Sequence, residues 1–135
     1  MFKANTRVLI VDDSDSIREL IRTYMRRLSF RDIDEAVNGA EAYRMIVTSK
    51  NSGDMYGLIL SDWNMPEMNG LELLKKIRTT PFGKKIPFIL MTTESEKAKV
   101  VEAITAGVNN YIVKPVDEKI LLGKLTATYE KFYQE

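Results

Sequence analysis

Short apolar runs alternate with amphipathic stretches along the chain. Val8 to Val11 is an unbroken β-branched and aliphatic run, the pattern of a strand buried on both faces. Ile17, Leu20, Ile21, Tyr24 and Leu28 follow at helical spacing. Ile33 to Val37 reads as a second strand, and Ala42, Tyr43, Ile46 and Val47 mark a second helix. Asn51-Ser52-Gly53-Asp54 is a turn cluster. Leu58-Ile59-Leu60 is the third strand and ends on Ser61-Asp62; after a loop with Pro66 and Gly70, Leu71, Leu74 and Ile77 make a short helix. Pro81 and Gly83 precede a fourth strand, Phe88 to Met91, and Ala98, Val101 and Ile104 line a fourth helix that stops near Gly107. Tyr111 to Val113 is the fifth strand, and Ile120, Leu121, Leu125, Thr128, Tyr129 and Phe132 form the stripe of the last helix.

Strict alternation of strand and helix predicts an α/β fold: one five-stranded parallel sheet, doubly wound, with helices on both faces. Right-handed crossovers leave few topologies. No repeat or linker interrupts residues 1–135, so a single domain with no output domain after the last helix is expected.

Open parallel sheets bind ligands beyond the carboxyl ends of their strands. The first strand ends on Asp12-Asp13, the third on Asp62, the fourth on Thr92-Thr93 and the fifth on Lys114-Pro115. Three carboxylates, a hydroxyl and an ammonium thus meet at one edge. At ~4 Å each like-charged pair costs about 4 kcal/mol at an effective dielectric near 20, so a held proton or a bound cation must relieve them. Capping of the next helix would explain one aspartate. Ser14 or Ser16 can do that job, and Ser16 has Glu19 three residues on as a capping-box partner.

Composition narrows the chemistry. The chain has no cysteine and no histidine, which excludes disulfides, thiolate catalysis, Cys/His zinc sites and histidine bases. An all-oxygen cluster then selects a hard cation, with Mg²⁺ first. Twenty basic residues against nineteen acidic ones give a net charge of +1, so no global field draws in nucleic acid or an anionic membrane. Arg18, Arg22, Arg26, Arg27 and Arg31 read as the solvated face of a helix. Met1 to Thr6 has no apolar leader, and no apolar run approaches a bilayer span. A cytoplasmic protein is expected.

Val11-Asp12-Asp13, Ser61-Asp62-Trp63-Asn64-Met65-Pro66 with Gly70, Met91-Thr92 and Tyr111-Ile112-Val113-Lys114-Pro115 stand in the order and spacing of one family. The chain resembles the response-regulator receiver domains, most closely those of chemotaxis, over nearly its whole length. The resemblance implies the flavodoxin-like strand order 2-1-3-4-5. It makes Asp62 the acceptor of a phosphoryl group from a sensor histidine kinase. Asp13 and Asp62 would bind Mg²⁺ directly, Asp12 through water, and Asn64 by its backbone carbonyl. Thr92 and Lys114 would hold phosphoryl oxygens, and Tyr111 would be the aromatic that changes rotamer with Thr92. Asn64 and Glu94 would flank the site and influence access of the hydrolytic water. The Lys114-Pro115 bond would be cis. The implied function is a signalling switch, not an enzyme beyond its own phosphorylation and dephosphorylation: a monomer that controls flagellar rotation. Its contact with a flagellar motor switch protein would run through Lys97, Tyr111 and Lys124, and a phosphatase is a further partner. A phosphorelay shuttle or a phosphate sink is the alternative. Two features depart from the family pattern. The segment from Thr48 to Met55 is longer, and Thr93 replaces a smaller residue.

Rival chemistries fit less well. A phosphatase of the haloacid-dehalogenase type needs a second aspartate two residues past its nucleophile, where this chain has Asn64. A flavin-phosphate loop after the first strand would be repelled by Asp12-Asp13, and no G-x-x-x-x-G-K-[ST] sequence is present.

Overall fold

The computed structural model describes residues 1–93 and 97–133. In chain order the elements are β1 (Arg7–Val11), α1 (Asp15–Arg27), β2 (Asp32–Ala36), α2 (Gly39–Ser52) and β3 (Leu58–Asp62). They continue with α3 (Gly70–Arg78), β4 (Phe88–Thr92), α4 (Lys97–Thr105), β5 (Asn110–Val113) and α5 (Glu118–Tyr133). The strands form one sheet in the order β2-β1-β3-β4-β5, and every pairing is parallel. Strand order and fold class are as expected.

The sheet separates two apolar cores. Leu9 and Val11 of β1, Ile59 of β3 and Phe88 and Leu90 of β4 meet Ala42 and Ile46 of α2, Leu73, Leu74 and Ile77 of α3 and Ala103 of α4. The alternate residues Val8, Ile10, Leu58, Leu60, Ile89 and Met91 meet Ile21 and Met25 of α1 and Leu121 and Leu125 of α5. Successive strand residues point to opposite faces. With both faces covered, β1, β3 and β4 therefore carry unbroken apolar runs, Val8–Val11, Leu58–Leu60 and Phe88–Met91, with polar residues only at the strand ends.

Several sequence expectations shift in register. β2 covers Asp32–Ala36, and Val37 lies exposed beyond it. Asn51 and Ser52 belong to the last turn of α2, which ends at Gly53 in the left-handed conformation. Of the Thr48–Met55 segment, Thr48 to Ser52 is thus helix. Leu20 and Ile120, expected in buried stripes, are exposed, while Met25 is buried. The largest change is in α4. Val101 is 52% and Ile104 60% exposed, and the inward residue is Ala103, with Ala106 packed just beyond the helix. Positions 98, 101 and 104 and positions 100, 103 and 106 are parallel i, i+3 rows of small or apolar residues. Periodicity finds such rows, but it does not say which one faces the sheet.

Ser14 is the N-cap of α1, and its side chain accepts from the Ile17 N–H. Ser16 lies inside the helix, so its capping box with Glu19 does not form. Arg18 also departs from the solvated face predicted for it. Its side chain is only 11% exposed and is paired with Glu35 of β2. Among the described residues no helix is long and apolar enough to cross a membrane.

Candidate functional site

Parallel register places the carboxyl ends of β1 and β3 side by side, with Val11 opposite Ser61. The next residues, Asp12 and Asp62, are therefore neighbours. Asp12 is 1% and Asp62 6% exposed, whereas Asp13 is exposed. One oxygen from each of the three carboxylates lies within 4.8 Å of the others. Lys114, just past β5, reaches across β4 to close the group. Its Nζ donates to Asp12 Oδ2 at 3.1 Å and to Asp62 Oδ1 at 3.0 Å. Thr92 ends β4 and is buried, and its carbonyl accepts from the Lys114 N–H at 2.7 Å. The Lys114-Pro115 bond is cis.

The backbone around the carboxylates is held closely. The Asp12 N–H donates to the Ala36 carbonyl at 3.1 Å, and Asp12 Oδ1 accepts from the Ser14 N–H at 2.9 Å. The Trp63 N–H donates to the Met91 carbonyl at 2.9 Å. Gly70 then donates to the Trp63 carbonyl at 2.8 Å, which seats the start of α3 against the acidic strand end. A Cβ on Gly70 would lie 2.2 Å from the Asp62 carbonyl oxygen and 2.8 Å from Leu90 Cδ2. Backbone cannot yield that distance cheaply. Gly70→Ala is expected to cost about 2 kcal/mol, read as a lowered midpoint in urea unfolding. An unchanged midpoint would show that the loop accommodates the methyl group.

Burial raises the pKa of Asp62 above its ordinary value, and the neighbouring charge of Asp12 adds to it; the hydrogen bond from Lys114 pulls the other way. Burial works against the charge of Lys114, but the two carboxylates outweigh it, so its pKa is raised. Three carboxylates against one ammonium leave two negative charges, the charge of one divalent cation. The donors are oxygens only, which suits Mg²⁺.

Of the predicted residues, Asp12, Asp13, Asp62 and Lys114 meet. Asn64 is exposed on the loop after β3. Tyr111 is half-buried on β5, with the Lys124 ammonium 4.9 Å from its ring centroid. Lys97 opens α4, and Glu94 lies outside the described residues. Arg18 is a residue that sequence reasoning missed: its Nη1 donates to the Asp12 carbonyl at 2.6 Å. No local spacing announces this contact, because the partner that orients Arg18 is on another strand.

The family model for the response regulator receiver domain matches residues 8–126. The chain belongs to the response regulator receiver family. The receiver is 44% identical over 119 residues to chemotaxis protein CheY1 of Helicobacter pylori, covering 88% of this chain and 93% of that one. Among solved structures, Vibrio cholerae CheY4 superposes with a TM-score of 0.80 at 31% identity, over 92% of this receiver and 98% of that chain. A CheX–CheY complex with beryllofluoride and magnesium from Borrelia burgdorferi gives a TM-score of 0.82 at 27% identity, over 92% and 89% of the two chains. As a receiver, the chain is a phosphorylation-dependent signalling domain. The candidate site lies where the strand ends of the sheet converge.

Proposed function

We propose that this receiver takes a phosphoryl group on Asp62 from a histidine kinase of chemotaxis and, once phosphorylated, binds a flagellar motor switch protein. The observation that carries the first half is the Lys114 ammonium held between Asp12 and Asp62. An Asp62 oxygen attacks phosphorus, the phosphorus–nitrogen bond of phosphohistidine breaks, and an acyl phosphate forms. Such transfers depend mainly on positioning and charge neutralisation. Asp13, Asp62 and the Asn64 carbonyl would hold Mg²⁺, with Asp12 acting through water. The ion would supply positive charge to the phosphoryl oxygens. Lys114 exchanges its Asp62 contact for a phosphoryl oxygen, and the Thr92 hydroxyl binds another.

The acyl phosphate brings about −2 in place of −1. That charge draws on Thr92 and Lys114, at the ends of β4 and β5, and biases the packing of the segments that follow. Tyr111 responds on β5. The output face combines Tyr111 and Lys124 with the outward row of α4. Exposed Val101 and Ile104 support its use as a docking surface, and Lys97 begins the same helix. The chemotaxis assignment rests on the H. pylori relative, 44% identical over 88% of this chain. A phosphatase partner would act on the acyl phosphate with Asn64 and Glu94 at its flanks. The protein works as a cytoplasmic monomer.

A second reading has one observation in its favour. A groove of about 330 Å³ runs beside Lys114 between Ile17, Leu20, Thr93 and Val116, and a side chain projecting from a phosphotransfer helix would seat there. Capture with purified switch component, with and without beryllofluoride and Mg²⁺, separates the readings. Binding only of the activated form is expected. Activated receiver that ignores the switch component but takes phosphate from, and returns it to, a histidine phosphotransfer protein would favour the relay. A sink would bind neither.

A further inference from the structure

We infer that Arg18 is a positioning residue for the Asp12–Asp13 peptide, and through it for cation binding by Asp13. This rests on the reading of the acidic pocket as a Mg²⁺ site. Asp12 is fixed at four points: its N–H by Ala36, its two carboxylate oxygens by Ser14 and Lys114, and its carbonyl by Arg18. Asp13, the exposed member of the cluster, takes its direction from the peptide that joins it to Asp12. The oxygen of that peptide is the one that Arg18 grips.

Arg18 is itself immobilised. Its Nε donates to Glu35 Oε1 at 3.1 Å, and its Nη2 pairs with Asp15. Glu35 receives a second guanidinium from Arg22 through its other oxygen. Glu35 stands on the edge strand β2, paired in register with Ile10 of β1. The chain of contacts therefore runs from a sheet strand through a planar fork to the carbonyl between the two aspartates. Hydrogen-bonding partners behind metal ligands affect affinity by fixing orientation. A lysine cannot reproduce the simultaneous grip of the guanidinium on Glu35, Asp15 and the carbonyl.

Charge and geometry predict opposite signs here, which makes the inference testable. Arg18 is a cation near a site for a cation. If only its charge mattered, Arg18→Met would tighten Mg²⁺ binding and Arg18→Lys would leave it unchanged. Positioning predicts that both substitutions weaken it, by about tenfold. The experiment is a Mg²⁺ titration followed by fluorescence of Trp63, the single tryptophan, on protein shown to be folded by urea unfolding. Glu35→Gln is expected to weaken binding in the same direction but less, and to add little in the Arg18→Met background. Phosphorylation by acetyl phosphate should recover at saturating Mg²⁺, placing the defect in cation binding and not in transfer.

Unchanged or tighter Mg²⁺ binding by folded Arg18→Met, or full rescue by Arg18→Lys, overturns the inference. If Arg18→Met does not fold, Arg18→Lys decides, because it keeps the charge: parental affinity in that variant counts against positioning. Failure of the parent protein to bind Mg²⁺ would instead remove the reading of the pocket on which the inference stands.

Discussion

Asp62→Asn is expected to abolish acyl-phosphate formation completely and, at the same time, to stabilise the metal-free protein at neutral pH. Loss of phosphorylation follows because an amide cannot form the acyl phosphate, and neither remaining carboxylate has the same position at the end of β3. The stability gain follows from the electrostatics of burial. Folding raises the pKa of Asp62 through burial and the charge of Asp12. A group whose folded pKa is raised contributes stability fully present below its unfolded pKa and lost as pH rises through its folded pKa. At neutral pH the ionised carboxylate is therefore a cost, and asparagine removes it. The advantage of Asp62→Asn should shrink as pH falls below the ordinary carboxylate range, where the parent side chain is also uncharged. Urea unfolding at neutral and acid pH, without Mg²⁺, measures this directly. A variant less stable than its parent at neutral pH would mean that Lys114 and Asp12 depend on the Asp62 charge more than they are burdened by it.

Lys114→Met should have the opposite effect on stability and a large one. The ammonium lies 3.0 Å from Asp62 and 3.1 Å from Asp12, and both carboxylates are buried. Removing one partner of a buried charge cluster leaves the others uncompensated, at a cost of about 3 kcal/mol. Because Mg²⁺ would bind the folded state selectively, millimolar Mg²⁺ should restore part of the loss. The double variant with Asp62→Asn should lose less than Lys114→Met alone, since one of the two stranded charges is gone. If metal-free Lys114→Met unfolds at the same urea concentration as the parent, the lysine is not what neutralises the pocket. Its phosphorylated form is also expected to bind the output partner poorly, because one of the two groups that read the new charge is missing.

The parts of the fold written in continuous apolar runs are legible in the sequence. β1, β3 and β4 are covered on both faces, so burial leaves an unbroken signature, and their polar ends stand out sharply. Asp12, Asp13, Asp62 and Thr92 stand out by that contrast, and Lys114 follows the shorter apolar run of β5. The contrast does not choose Asp62 among the three carboxylates. Hydrophobicity shows where a strand stops, but not which acid reacts, and that selection came from the family motif around Trp63 and Pro66.

Two features escaped the sequence for physical reasons. In α4, two adjacent rows share the same spacing, and only the contact of Ala103 with the sheet reveals the inner one. That error has a functional consequence, since it leaves Val101 and Ile104 available to a partner. By spacing, Arg18 is one of five arginines on a solvated helix face. Glu35, its anchor, is on β2 and seventeen residues away in the chain, so the pair exists only once α1 has packed across the β1–β2 edge.

The most direct measurement is the location of the phosphoryl group. The protein is treated with acetyl phosphate and Mg²⁺, the acyl phosphate is reduced with borohydride, and the peptides are mapped by mass spectrometry. Homoserine at position 62 alone, formed only when Mg²⁺ is present, is the predicted result. Conversion at Asp12 or Asp13, or stable phosphate on a hydroxyl side chain with Asp62 intact, would contradict it.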